Sequence, residues 1–274
     1  MIIVHFHFPF ERGIALICSM SKYGYTFLLC TILFCSWGWA QNADVFARNK
    51  GDVLMPHISY AVHTPGGDLA DRFGNNFSVG LGLEWMTDQS NWIVGFSGQF
   101  LFGNTVKTDV LAQLRTDAGT IIGNSRLPAD IGLRERGWIA QATIGKHIPI
   151  AGKNPRAGIR LTLSPGLLQH RIRIQGDPQQ AVPQLLGGYR KGYDRLSNGL
   201  SITEFIGYQL LSMDRRMNFF LGLEFTQAFT ANRRDFDFDT RMKDKTKRID
   251  LLYGLKLGWI IPFYTGKSGG DIYY

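Results

Sequence analysis

The sequence predicts an all-β chain: a transmembrane, antiparallel up-and-down β-barrel of about eight strands. Three observations carry that prediction. Apolar residues alternate with small or polar ones over eight separate stretches, the period of strands whose successive side chains point to opposite faces. On the less apolar face Gly and Ser predominate, as the crowded inside of a narrow barrel requires, while the apolar face ends in aromatics, as lipid requires. The connections then run long, short, long, short, long, short, long, which puts every short turn at one end and every long loop at the other.

The stretch Phe77 to Phe102 shows the pattern best. Phe77, Val79, Leu81, Leu83 and Trp85 fall on one parity, with Ser78, Gly80, Gly82 and Glu84 on the other. After the polar turn Thr87–Asn91, Trp92, Val94, Phe96, Phe100 and Phe102 face away from Gly95, Ser97 and Gln99. Before this hairpin, a first strand runs from Val53 to His63, with Pro56 tolerable near its start. A loop opening at Thr64-Pro65-Gly66-Gly67-Asp68 lasts to Asn76.

Gly103 to Arg136 is the longest irregular stretch; within it Thr108 to Leu114 suits a short helix with Val110, Leu111 and Leu114 on one side. The fourth strand spans Gly137 to Ile148, and after the turn Pro149–Arg156 the fifth spans Ala157 to Ile174. A loop, Gln175 to Asn198, holds Gly187-Gly188-Tyr189-Arg190-Lys191-Gly192-Tyr193. The sixth strand, Leu200 to Leu211, fits least well: Glu204 falls on the apolar side and Phe205 on the other, which a bulge near Glu204 would repair. Beyond the turn Ser212–Arg216, the seventh strand is Met217 to Thr230. A charged loop, Ala231 to Arg248, leads to the eighth, Ile249 to Phe263. In that loop Asp235-Phe236-Asp237-Phe238-Asp239 lacks the Gly and Glu of a calcium loop, and reads as an extension of the hairpin.

Composition excludes several classes. The 274 residues are 45% hydrophobic and 13% aromatic with net charge +8, too rich in aromatics for disorder. No apolar run is long enough for a membrane helix outside the leader. Residues 1–40 read as leader and export signal: Lys22 is the positive region, Tyr25 to Trp37 the apolar one, and Gly38-Trp39-Ala40 the small-residue cleavage site. Met20 is the expected initiator. Arg12, Lys22 and Glu11 leave with the leader, so two cations and one anion removed bring +8 to +7. Cys18, Cys30 and Cys35 all lie there too, which leaves no disulfide, no thiolate metal ligand and no Cys nucleophile in the barrel, residues 41–263.

The leader ending Trp-Gly-Trp-Ala-Gln, the Gly- and aromatic-rich strands and the last strand Leu251-Leu-Tyr-Gly-Leu-Lys-Leu-Gly-Trp-Ile-Ile-Pro-Phe263 carry a likeness. On these features the chain resembles the small outer-membrane β-barrel proteins of Gram-negative bacteria, particularly those of Bacteroidota. The resemblance implies an outer-membrane location, both termini in the periplasm, and a terminal aromatic read during assembly. Here Phe263 is followed by a tail, 264–274, so either Phe263 or Tyr274 would serve.

The inward parity collects Glu84, Gln99, Gln141, Arg160, His170, Glu224 and Lys256, which reads as a buried polar network plugging the lumen; the sharper alternative is a narrow conduit for small polar solutes. His57-Ile58-Ser59 matches the His-x-Ser pair of lipid A deacylases, but its face is lumenal and its height wrong for a lipid substrate. No other catalytic, cofactor or metal pattern stands out. The outside loops offer Arg190, Lys191, Arg195, Lys243, Lys245 and Lys247 as candidate lipopolysaccharide contacts. The expectation is therefore a non-enzymatic barrel without cofactors. Its role is structural or that of a subunit in an outer-membrane complex; its partners are outer-membrane lipids and lipopolysaccharide, and not nucleic acid.

Overall fold

A computed structural model describes residues 51–265 apart from 151, 153, 214 and 215. The expected leader, the start at Met20 and the tail beyond Thr265 lie outside the described residues. Eight strands form the barrel: β1 (Val53–Gly66), β2 (Asn76–Met86), β3 (Trp92–Gly103), β4 (Gly132–Pro149), β5 (Ala157–Gln175), β6 (Ser197–Leu211), β7 (Asn218–Asn232) and β8 (Lys247–Ile260). Each pairs antiparallel with its sequence neighbour, and β8 pairs with β1 from His57↔Ile260 to Gly66↔Leu251, which closes the ring. Phe263 and Tyr264 add a short pairing with Leu54 and Val53.

The predicted parity is the parity observed. Leu81, Phe96 and Leu223 point outward and are more than 60% exposed, while Glu84, Gln99 and Glu224 point inward. The outer wall is apolar almost throughout, with Trp92 and Trp259 toward the short-turn end and Phe77 and Trp138 toward the long-loop end.

Inside, the barrel has three tiers. At the short-turn end Val53, Met55, Met86, Ile93, Phe205, Leu211, Phe220 and Ile260 pack into a floor. Charged and hydroxyl side chains fill the middle. At the long-loop end Leu101, Ile139, Leu168 and Ile172 join Leu69, Phe73, Val110 and Leu111 from the loops to form a cap. Arg156 ties the short turns together, donating to the Gly51 carbonyl and to Asp88 Oδ1 at 2.6 Å each.

Several boundaries differ from expectation, each for a physical reason. β1 runs on to Gly66, and the loop after it holds a short helix, α1 (Gly67–Arg72), whose Leu69 plugs the mouth. Thr108 to Leu114 is not a helix; only Ala112–Leu114 turns, as a single 3₁₀ turn, while Val110 and Leu111 reach the cap from irregular backbone. β4 begins at Gly132 rather than Gly137, because its outer end continues with charged residues above the apolar belt. Asp235 to Asp239 does not extend the last hairpin: β7 stops at Asn232, and the loop folds back with Asp237 bridged to Met242. No bulge occurs near Glu204. The β5–β6 and β6–β7 ladders run unbroken through Leu163↔Glu204↔Phe225, so Glu204 faces outward and Phe205 completes the floor.

Candidate functional site

All seven lumenal residues predicted from parity are buried: Glu84, Gln99, Gln141, Arg160, His170, Glu224 and Lys256. They form clusters rather than one network. Arg160 of β5 reaches across the lumen to β2, where its Nη2 donates to both carboxylate oxygens of Glu84 at 2.5 and 2.6 Å, while Nη1 donates to Gln209 at 3.0 Å. Its guanidinium lies 4.5 Å from the centre of the Phe220 ring, so the cation has an aromatic floor beneath it. Lys256 Nζ donates to Glu224 Oε2 at 2.6 Å, and Gln99 Nε2 donates to the same oxygen at 3.3 Å. Ser78 links Gln99 to His63, at 3.0 and 2.9 Å. Higher up, His170 meets Asp250 at 2.9 Å beside the edge of Phe73. Gln141 stands apart, donating to Ser97 at 3.1 Å.

Glycines opposite these groups make the packing fit. A Cβ on Gly82 would collide with the His57 ring, and one on Gly258 with the Phe220 ring, so each large residue occupies volume its neighbour leaves empty. The space remaining between Glu84, Arg160 and Glu224 is a cavity of about 20 Å³, room for about one water. With the floor below and the cap above, the lumen is filled rather than open.

His57 and Ser59 both face this lumen and are buried. His57 packs edge-on against Phe220 and lies 3.8 Å from Glu84. Among the described residues no cluster of His, Cys, Asp or Glu has the arrangement of a metal site.

The loop cations divide into two groups. Arg195 is paired with Asp239 and Lys243 with Asp235 at 3.2 Å, while Arg190 donates to the Leu185 carbonyl. Each of these three thus has a partner within the loops. Lys191, Lys245 and Lys247 are exposed. Arg234 grips Asp194 through two hydrogen bonds of 2.7 and 2.5 Å, which raises its pKa further and locks the last two long loops together. In the last loop burial would raise the pKa of Asp244, but hydrogen bonds from Arg248 and from the Thr246 backbone outweigh it and bring the group from 3.8 down to about 2. Because the folded value lies below the unfolded one, this pairing contributes fully above pH 3.8 and is lost as pH falls through about 2. A carboxylate-carbon NMR titration should place the Asp244 midpoint near pH 2; a midpoint at 3.8 would mean the pairing is absent in solution.

Four arginines escaped the sequence reading. Arg134 stands directly across from Arg173, and Arg136 across from Arg171, on the outward face of β4 and β5 just above Trp138. The signal was present as two Arg-x-Arg pairs, and counting outward from Pro149 opposite Gly158 brings them face to face.

No protein-family model matches the chain, and no curated protein matches it. Among solved structures, Ail, the attachment invasion locus protein of Yersinia pestis, aligns over 77% of this chain and 99% of its own length, at 11% identity and a TM-score of 0.39. A second structure of Ail, in complex with the heparin analogue sucrose octasulfate, aligns over the same shares at 12% identity and a TM-score of 0.33. The all-β closed barrel stands on this chain's own ladders.

Proposed function

We propose that the chain is an integral outer-membrane barrel of the Gram-negative, Bacteroidota type that its leader and last strand resemble, with both ends in the periplasm. It performs no catalysis. Its role is structural, or that of a subunit in an outer-membrane complex, with the interlocked long loops as the interaction surface. One observation carries the reading: the outer wall is apolar, while the lumen is packed closed at both ends and through the middle. A filled lumen has no space for a solute path, and an apolar exterior in a closed sheet is what lipid requires.

Affinity capture of the tagged protein from detergent-solubilised outer membranes, followed by mass spectrometry, tests the subunit role. A stoichiometric co-purifying barrel or lipoprotein supports it. Recovery of the protein alone, together with single-channel conductance of the purified barrel, would overturn it in favour of a channel.

Glu204 tests the location independently. It is an acid at mid-height on the outer wall, between Leu163 and Phe225. Glu204→Leu should stabilise the barrel by about 1–2 kcal/mol in vesicles, since a carboxyl facing hydrocarbon costs somewhat less than an Arg or Lys there. Urea unfolding in vesicles reads this out. No gain in vesicles would mean that this wall does not face lipid.

A further inference from the structure

The four arginines at the outer end of β4 and β5 form the least expected feature of the wall. Arg134↔Arg173 and Arg136↔Arg171 are directly opposed pairs in a stretch of ladder unbroken from Gly132 to Gln141. Ladder geometry puts their Cβ atoms about 5 Å apart across the strands and about 7 Å apart along them. Like charges directly opposed across a sheet are destabilising, and here two such pairs are stacked. Among the described residues no carboxylate pairs with any of the four: Arg134 donates to the Asn104 side chain at 3.3 Å and Arg136 to the neighbouring Glu135 carbonyl at 2.6 Å. Elsewhere the outer ends of the strands present mainly apolar side chains, such as Phe77, Phe102, Leu200 and Phe229.

Height matters as much as charge. Arg136 is separated from Lys146, which lies over Trp92 at the opposite boundary, by ten residues of one strand. At about 3.3 Å per residue and a tilt of about 40°, that is about 25 Å along the barrel axis, the thickness of a barrel's apolar band. The arginines therefore stand at the outer edge of that band, with Trp138 and Phe100 immediately below. Between those two aromatics and Arg136, Arg171 and Arg173 lies a surface cavity of about 270 Å³.

We infer that this quartet is a binding site for the phosphate-bearing headgroup of an outer-leaflet lipid, phosphate held between the guanidinium forks and acyl chain laid on Trp138 and Phe100. The inference rests on the membrane-barrel reading above. A phosphate between the two pairs turns their repulsion into charge-assisted hydrogen bonds, for which the planar guanidinium fork is the best match among side chains. The aromatic shelf distinguishes an amphiphile from a free anion, which has no use for it.

The test uses the full chain in vesicles of neutral lipid doped with bisphosphorylated lipid A, with its dephosphorylated form, or with neither, and native mass spectrometry of what stays bound. The phosphorylated lipid should be retained at least about tenfold more strongly than the dephosphorylated one, as charge-assisted contacts require. R136Q/R171Q should abolish that preference, while R241Q, which alters an exposed loop cation outside both the quartet and the candidate lipopolysaccharide contacts, should leave it intact. Retention of both lipids alike, or an unchanged preference in R136Q/R171Q, would overturn the site. Displacement of the lipid by inorganic phosphate at equal concentration would assign the site to a free anion instead, against the inference. If the protein fails to enter neutral vesicles at all, the membrane reading itself fails; entry without phosphate preference sinks only the site.

Discussion

Glu84→Ala should cost the barrel about 3–5 kcal/mol, the loss expected when one partner of a buried ion pair is removed and the other stays behind. Arg160, 3% exposed in the native barrel, would keep Gln209 and the rings of Phe220 and Phe205 as neighbours. The native cavity beside the pair admits about one water, so hydration of the guanidinium in the variant is confined to that space and the volume the carboxylate vacates, far short of bulk water. The penalty comes from the orphaned charge rather than from the lost bond, and that distinction is testable. The double substitution Glu84→Gln with Arg160→Met removes both charges at similar volume and should recover most of the loss, because a neutral core often equals a buried pair in stability. Urea unfolding of the two variants in vesicles measures both steps. A single variant within about 1 kcal/mol of the native chain would show the pair to be solvated, as exposed pairs are.

Phe220→Ala should cost a similar amount, about 3–5 kcal/mol, by a different route. The ring is 2% exposed and has three neighbours in the floor: the His57 edge, the Phe205 ring at 5.5 Å and the Arg160 guanidinium. Its space is preset by Gly258, so no backbone neighbour can fill the gap when the ring is cut away. The same substitution opens the floor beneath the polar tier. With the polar tier and the cap still in place, planar-bilayer recordings of Phe220→Ala should stay as silent as those of the native chain, and ion passage in the variant would show the floor to be the main seal. A silent variant with the expected stability loss would place the seal in the polar tier and the cap, around Leu69 and Phe73.

The strand pattern was legible because one physical rule, apolar out and small or polar in, holds along nearly every strand. It failed where that rule has exceptions. Glu204 looked like a phase slip because an acid facing lipid is costly, and a bulge seemed cheaper; the unbroken ladder shows that the chain bears the acid instead. The start of β4 was missed for the opposite reason. Above the apolar belt the outward face is free to carry charge, so the alternation of hydropathy stops at Trp138 while the ladder goes on through Arg136 and Arg134. The lumenal residues were individually readable from parity, but their partners were not. Glu84 and Arg160 belong to strands far apart in sequence, and only the curvature of the closed sheet brings them together. The partners of the loop cations were not readable either, because Asp239 and Asp235 reach Arg195 and Lys243 from positions that no local spacing marks.

The closing seam has a consequence for how the chain reaches this state. Seven of the eight ladders join strands adjacent in sequence and can form as local hairpins, whereas β1 must find β8 across almost the whole chain. Closing a segment of roughly 200 residues instead of a hairpin's roughly 10 costs about 2–3 kcal/mol more in loop entropy. Until that closure, β1 and β8 are the free edges of an open ribbon, and free edges invite pairing with a second chain. β1 carries Pro56 and Pro65, which lie opposite Leu83 and Leu252 in the finished barrel and donate no hydrogen bond to either side. The strand that waits longest for its partner is thus a poor template for a stranger, and the protection against association during folding is written into the same residues that later complete the ring.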